Sequence, residues 1–175
     1  GAWATSPWRI VPHKCDKRGR PDGAGGGANF PGATVDPETG IIYIPSATLP
    51  HGMGLVAPPE GTSDWPYIIT MDTKIGPFGL PLLKPPYRRI TAIDLNTGEH
   101  VWQIPFGKGP VNHPMLQHLD LPPLGSVFSD VVAEGGLLIT KTLLISYLAQ
   151  RDEIDPEAHG SILVAHDKMT GDLLG

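Results

Sequence analysis

A five-residue element, Asp-x-x-Thr-Gly, occurs three times in this chain and constrains its fold more than any other feature. The copies begin at Asp36, Asp94 and Asp167. In each copy the aspartate can accept bonds from the backbone N–H groups that follow it, and the glycine can adopt the positive φ that closes a tight turn. Because strand-like segments flank the copies, the element predicts a repetitive all-β protein built from antiparallel hairpins.

The spacing of the three turns predicts how the hairpins are grouped. The copies are 58 and 73 residues apart, which does not fit a simple array. The inequality disappears if the Asp36 turn is an inner hairpin of one sheet and the other two are outer hairpins of successive sheets. A repeat of 73 residues exceeds the roughly 40 to 50 residues of a propeller blade, so insertions must supply the surplus.

Glycine and proline divide the chain into short segments. With 22 Gly and 20 Pro in 175 residues, strands joined by long loops are favoured over helices. The richest stretch, 47–86, is expected to be an insert without lasting regular structure. Strands are predicted at 32–35, 41–45, 89–94, 100–104, 137–141, 143–148 and 161–167.

These strands predict one complete four-stranded blade and three strands of the next. The predicted order is a loop at 1–28, the complete blade at 29–104 with its insert at 47–86, a connecting loop at 105–125, and the incomplete blade at 126–175. The chain stops at Gly175, where the previous copy of the motif carries Trp102. We therefore expect it to be part of a longer polypeptide.

Charge and cysteine content exclude some functions. A net charge of −5, from 13 basic and 18 acidic residues, leaves no basic stripe, so we exclude nucleic acid as a partner. No apolar run approaches the roughly 18 residues that span a bilayer, and the first residues do not form a signal peptide. The single cysteine, Cys15, is either a free thiol or pairs outside this chain.

Two longer blocks resemble a known family. Residues 25–44 place a glycine-rich segment before the first turn, and residues 90–102 fit A-x-D-x-x-T-G-x-x-x-W, a pattern that begins again at 165–171. Together they resemble the blades of dehydrogenases that depend on pyrroloquinoline quinone (PQQ). The chain is most similar to the membrane-bound glucose, quinate and shikimate branch. The resemblance implies an eight-bladed β-propeller, of which this chain is about two blades from the C-terminal part.

The resemblance also points to one cofactor-binding residue, Asn29. In the family, an asparagine in this glycine-rich block reaches the quinone oxygens of PQQ near the propeller axis. The preceding glycines would let the backbone approach a flat ligand, and the Asn29 amide offers a donor and an acceptor. Alternatively, Asn29 bonds only to its own loop. The family usually has Trp where this chain has Phe30, so aromatic packing is kept and an indole hydrogen bond is lost.

The same block also matches the dinucleotide-binding pattern G-x-G-x-x-A, and its context argues against that reading. A dinucleotide site needs a strand before the glycines and the start of a helix after them. Here Pro21 precedes the glycines and Pro31 follows them.

The resemblance implies calcium-assisted oxidation of sugars, polyols or related alcohols. A base removes a hydroxyl proton, hydride passes to the quinone, and electrons continue to ubiquinone or a cytochrome. It implies a periplasmic enzyme associated with the inner membrane through a segment outside this chain. The catalytic aspartate and the Ca²⁺ ligands are expected elsewhere in the polypeptide. No catalytic or metal-ligating residue is therefore assigned, and the chain alone is expected to be inactive.

A non-catalytic propeller of the same lineage, acting as a scaffold or binding module, is the alternative function. It would keep the turns and Trp102 but would not need the glycines before Asn29. Trp102 is expected to stack between adjacent blades and dock on the next motif, although an ordinary core tryptophan would bury similar area.

Lysine and histidine residues are further candidates for a functional site. Lys141, in an apolar strand, is either a buried amine facing a cofactor or carboxylate, or an edge residue with its amine in solvent. No histidine pairs with another ligand at metal-binding spacing on one element, so all are predicted to be surface or loop residues. The histidines are His13, His51, His100, His113, His118, His159 and His166.

Overall fold

The computed structural model describes residues 9–10, 28, 32–48, 52–72, 76–127, 136–151 and 159–175. These segments contain β-strands and two short 3₁₀ turns, which confirms the all-β class. Within these segments, no helix has the length and apolar character needed to cross a membrane. The strands are β1 (Arg9–Ile10), β2 (Thr34–Asp36), β3 (Ile41–Ala47), β4 (Gly52–Val56), β5 (Ile68–Asp72), β6 (Arg88–Asp94), β7 (His100–Pro105), β8 (Leu137–Ile139), β9 (Leu143–Arg151) and β10 (His159–Asp167).

Four strands form the sheet that we call blade 1, in the order β2-β3-β6-β7. Every neighbouring pair is antiparallel. One face of the sheet buries alternate residues, among them Ile41 and Tyr43 of β3 and Ile90 and Ala92 of β6. This period of two is what a strand with one buried face requires. The four strands predicted for the complete blade are confirmed.

Three strands form the sheet that we call blade 2, in the order β10-β9-β8. After β10 the chain turns back, and an isolated bridge joins Leu173 to His166. The Ala165 N–H donates to the Gly175 carbonyl at 2.6 Å. A fourth strand therefore begins beside β10, as the repeat of the motif predicts.

The main apolar core lies between the two blades. Ile41, Tyr43, Ile90, Ala92 and Phe106 come from blade 1 and the segment just after β7, and Leu144 comes from β9. Strands β2 and β8, the first strands of the two sheets, lie against each other. Face-to-face sheets with their first strands adjacent, and with the sheets not closed into a ring, form part of a β-propeller.

A third sheet, which the sequence did not predict, joins the insert to a strand of the segment predicted as a loop at 1–28. β4 pairs with β5, and β1 pairs with the other edge of β4. The glycine-rich composition suggested loops, but the pairing places Leu55 directly opposite Ile69 and Val56 opposite Ile68. Cross-strand pairs of this kind stabilise short strands against the low propensity of glycine.

The two ends of the blades differ in their connections. One end, which we call the turn end, carries the turns at Asp36, Asp94 and Asp167 and the short β8–β9 connection. The opposite end, which we call the loop end, carries the insert between β3 and β6 and the long segment between β7 and β8. β2 runs towards the turn end, from Thr34 opposite Tyr43 to Asp36 opposite Ile41. Gly32 and Ala33 precede it in the chain.

Candidate functional site

The three motif turns share one geometry. In the first, the Asp36 carboxylate accepts from the Glu38 N–H at 3.1 Å and from the Thr39 hydroxyl at 2.7 Å. The Gly40 N–H donates to the Asp36 carbonyl at 2.9 Å, and Gly40 has φ 71. The Asp94 and Asp167 turns repeat the glycine bond, with φ 76 and 79 at the glycine. The predicted turn chemistry is confirmed.

Trp102 of blade 1 docks on the third motif, as predicted. Its indole N–H donates to the Lys168 carbonyl at 3.1 Å. A Cβ at Gly171 would lie 3.0 Å from the Trp102 ring, so glycine is what lets the indole come so close. The Tyr43 hydroxyl donates to the same Lys168 carbonyl at 3.0 Å, and its ring is 5.7 Å from that of Trp102. Two aromatic residues of blade 1, Trp102 and Tyr43, thus donate hydrogen bonds to the same backbone carbonyl of blade 2.

A buried ion pair accompanies this docking. Lys168 Nζ lies 2.6 Å from Asp36 Oδ2, and both residues are about 95% buried, with 5% and 4% exposed. The bond from Lys168, helped by the Thr39 hydroxyl, lowers the pKa of Asp36 to about 2 against the opposing effect of burial. Burial, and then the charges of Asp36 and Asp167, raise the pKa of Tyr43 to about 12. At neutral pH Asp36 is therefore ionised and Tyr43 is neutral.

Sequence reasoning did not find this pair. Asp36 and Lys168 are 132 residues apart, and no local pattern joins them. One signal was present: the position after the motif aspartate is Pro37 in the first copy and Leu95 in the second, but a lysine in the third. A charged residue at a position that faces a neighbouring blade requires a partner when it is buried.

The loop end is held by a second apolar cluster. Ala47, Tyr87 and Leu124 are buried there, with partly buried residues of the connecting segment around them. The Tyr87 N–H donates to the Leu124 carbonyl at 2.8 Å, and burial raises the pKa of the Tyr87 phenol. A Cβ at Gly125 would lie 2.2 Å from the Arg88 carbonyl oxygen, so the connecting segment crosses β6 at a point where only glycine fits. The connecting segment is thereby fixed to blade 1.

One histidine joins the insert to the connecting segment. His113 Nδ1 accepts from the Met115 N–H at 3.2 Å, so the other ring nitrogen carries the proton and donates to the Phe78 carbonyl at 3.2 Å. Phe78 has φ 58, in the left-handed region, and its side chain is 76% exposed. The contact therefore holds an exposed aromatic residue at the loop end.

Asn29, the predicted cofactor-binding residue, lies outside the described residues, as does Phe30. The described neighbours are Ala28, which is exposed, and Gly32, which has φ 87. Among the described residues, no atom lies within 4 Å of the position that a Cβ would take at Gly32. A ligand can approach the backbone closely at such a position. The assignment of Asn29 stays a prediction, and the open backbone before β2 is compatible with it.

The prediction for the histidines was wrong at His166. It is buried in β10, and its Nδ1 lies 3.1 Å from the Gly171 carbonyl oxygen. The motif turn folds back over the end of β10, which removes this side chain from solvent. His100 and His118 are exposed and the half-buried His113 lies in a loop, as predicted. His13 and His51 fall outside the described segments.

Lys141 lies in the β8–β9 turn and is exposed, so its solvent-facing interpretation is confirmed and the buried amine is excluded. In the described part of the chain, no three His, Cys, Asp or Glu side chains come together as metal ligands.

The geometry agrees with comparisons to known proteins. Residues 12–175 match the PQQ family described as "Glucose/ethanol/alcohol dehydrogenase, beta-propeller domain". The chain belongs to this family. It is 31% identical over 142 residues to a probable quinate dehydrogenase (quinone) of Xanthomonas campestris pv. juglandis, a match that covers 66% of this chain. It is also 34% identical over 90 residues to the quinate/shikimate dehydrogenase (quinone) of Acinetobacter baylyi, over 50% of this chain.

The matched part of the chain spans only a fraction of these two relatives. It covers 18% of the Xanthomonas protein and 11% of the Acinetobacter protein.

Proposed function

We propose that the full-length protein is a PQQ-dependent dehydrogenase that oxidises a polyol of the quinate or shikimate type and passes electrons to a quinone. The observation that carries the proposal is the family match over residues 12–175, together with two relatives named for quinate or shikimate and for a quinone. Sugars and other alcohols are the wider substrate class, and a cytochrome is the alternative acceptor. Calcium and a periplasmic, membrane-associated location belong to the same proposal through the family resemblance.

When bound, PQQ supplies an orthoquinone that accepts the hydride equivalent of the alcohol. The role of this chain is to help bind PQQ and orient it. Asn29 would donate its amide N–H to a quinone or carboxylate oxygen of PQQ, and the glycines before it would allow close approach. The open position at Gly32 fits such a use of the backbone.

The described ionisable groups with altered pKa values stabilise the packing of the fold. Asp36 and Tyr43 lie buried between the blades, and Tyr87 lies buried in the loop-end cluster. The general base of the proposed reaction is expected in another part of the full-length polypeptide, as the family resemblance implies.

The test is an assay of the full-length protein with and without PQQ. Apoprotein is loaded with PQQ and calcium and given quinate, shikimate or glucose with a soluble quinone as acceptor. We expect quinone reduction that depends on both PQQ and substrate, with quinate or shikimate preferred over glucose. Binding of PQQ without oxidation of any alcohol, or no binding at all, would favour the scaffold function instead.

A further inference from the structure

The β4–β5 hairpin of the insert has an apolar face that the other described residues leave open. Leu55 lies directly opposite Ile69, so the two side chains share one face of the sheet, and each is 64% exposed. Tyr67, two residues before Ile69, continues that face and is 63% exposed. The other face, which carries Val56 and Thr70, is half-buried. The solvent face of an antiparallel sheet normally carries polar residues, so this apolar face indicates a contact with something else.

Trp65, two residues before Tyr67, lies at the tip of the hairpin and is held there by local bonds. Its N–H donates to the Ser63 hydroxyl at 3.1 Å. The Thr62 N–H and hydroxyl both donate to the Pro59 carbonyl, at 3.1 and 2.7 Å. The Trp65 side chain is 75% exposed, and a tip that is already ordered loses little freedom when it binds. We call four exposed apolar residues of the hairpin the hairpin patch: Leu55, Trp65, Tyr67 and Ile69.

The size of the hairpin patch indicates the kind of partner that it fits. At these exposed fractions the four side chains present roughly 500 Å² to solvent, a patch size that is often functional. A stable complex of two separate proteins buries about 800 Å² on each partner. Packing between two parts of one polypeptide needs only about 300 to 750 Å² on each side, because the covalent link has already restricted their relative motion. The patch therefore fits a partner within the same polypeptide.

The charge of the hairpin argues against two other partners. Residues 54–70 contain Glu60 and Asp64, which are both exposed, and they contain no lysine or arginine. A membrane surface with anionic lipids attracts basic residues and would repel these carboxylates. A second copy would bring four carboxylates of the two hairpins to one interface without a cation from either hairpin, which like-charge repulsion opposes. The charge favours a surface with lysine or arginine at its edge.

The full-length polypeptide has ample surface outside this chain. The matched part of the chain is 18% of one relative and 11% of the other. We propose that the hairpin patch packs against another part of the full-length polypeptide, on an apolar surface with lysine or arginine at its edge. Because the insert is extra to the blade repeat, this contact joins the loop end to a region outside the two blades.

Hydroxyl-radical footprinting of the wild-type full-length protein tests the proposal without any substitution. The oxidation rates of Trp65 and Tyr67 are measured by mass spectrometry in the native protein and after unfolding in urea. A buried ring reacts only during local opening, so both rates should be at least roughly tenfold lower in the native protein. Tyr43, which is buried between the blades, is the internal reference for a protected tyrosine. Native rates close to the unfolded rates would overturn the proposal.

Two further conditions distinguish the possible partners. The footprint is repeated after dilution of the protein, and with vesicles of phosphatidylethanolamine and phosphatidylglycerol. Protection of Trp65 and Tyr67 should be the same in every condition. Protection that disappears on dilution would identify a second copy as the partner, and protection that appears only with vesicles would identify a bilayer. Either result would overturn the proposal.

Charge reversal tests the basic edge of the partner surface. The variant is Glu60→Lys/Asp64→Lys, and Glu99→Lys is the matched control because Glu99 is an exposed acid at the turn end. The reversal should raise the oxidation rate of Tyr67 in the native protein by about 2- to 30-fold, the value of two exposed ion pairs. The control should match wild type. An unchanged rate in the reversal variant would overturn the assignment of a basic edge. None of these measurements uses PQQ or a substrate, so their failure and the failure of the proposed function are independent.

Discussion

The turn end and the loop end of the two blades are built from different kinds of contact. At the turn end, three short motifs repeat the same bonds between an aspartate and the next few residues. At the loop end, long glycine- and proline-rich segments are held by contacts between distant residues, such as Tyr87 with Leu124 and His113 with Phe78. The turn end is locally encoded, whereas the loop end depends on the assembled sheets.

This difference between the turn end and the loop end is common in proteins. Rigid repeated elements position variable loops, and binding residues are found disproportionately on those loops. Here the turn end contains the interblade docking of Trp102 and Lys168, and the loop end carries the long connections between strands. Substitutions at each end can show how far the two ends are independent.

Replacement of Trp102 by Ala should have the largest effect. The substitution removes a large side chain between the blades and a hydrogen bond to Lys168, so the full-length protein should lose about 3 to 5 kcal/mol of stability. Chemical denaturation measures the loss. At temperatures well below the unfolding transition, the affinity for PQQ should change little. Loss of activity at an unchanged melting temperature would instead place Trp102 in the active site.

Gly125→Ala should be the most damaging small change at the loop end. Gly125 has φ 81, and a Cβ there would collide with the backbone of Arg88. Gly61, with φ 77 and open space around it, is the matched control. Left-handed strain alone should cost Gly61→Ala about 1 to 2 kcal/mol. The clash should cost Gly125→Ala about 1 to 3 kcal/mol more. Equal losses in denaturation would show that the connecting segment is not fixed to β6.

Asn29→Asp should change PQQ binding with little effect on stability. An anion would replace a donor beside an anionic cofactor, and losing a hydrogen bond to a charged group is worth about 1.5 to 3 kcal/mol. The full-length variant, titrated with PQQ in excess calcium, should need roughly 10- to 100-fold more cofactor for half-saturation. Its melting temperature should stay near that of wild type. An unchanged titration would remove Asn29 from the site and favour the scaffold function.

Acid should weaken the turn end through Asp36. The pKa of Asp36 falls from an ordinary 3.8 to about 2 in the folded protein, so its carboxylate stabilises the fold above the unfolded value. That stabilisation should be lost as pH falls from about 4 towards about 2. The melting temperatures of wild type and Asp36→Asn should therefore differ most near neutrality and converge across this window. A constant difference throughout the window would show that the ion pair does not stabilise the fold.

Phe78→Gly should have the smallest effect. Glycine adopts the left-handed φ of 58 without strain but gains freedom in the unfolded chain, so stability should rise by less than about 1 kcal/mol. The exposed ring contributes to neither buried cluster. Thermal unfolding checks the result, with Phe78→Ala as the control that keeps the strain. A clear loss of stability would mean that the ring packs against another part of the full-length protein.

Much of the fold was predictable because its signals are local. Asp36, Asp94 and Asp167 bond to residues two to four positions away, so each turn can be recognised from five letters. The strands beside the turns follow from apolar runs such as 41–44 and 143–145. The motif pattern also predicted that Trp102 docks on the next copy, because the family repeats that contact from blade to blade.

Other features could be decided only by tertiary structure. The β4–β5 hairpin formed in a segment whose composition favoured loops, because cross-strand pairs stabilise strands whose residues have low β-propensity. His166 is buried because its own turn folds over it, and the pattern gave no sign of that.

The sequence by itself determined the turns, the strands and the family, since each rests on contacts between near neighbours or on a repeated motif. Only the tertiary structure paired Lys168 with Asp36, because residues 132 positions apart meet only when the two blades pack face to face. Burial makes this contact important, because a charge that is removed from water needs a partner of opposite charge in the packed structure.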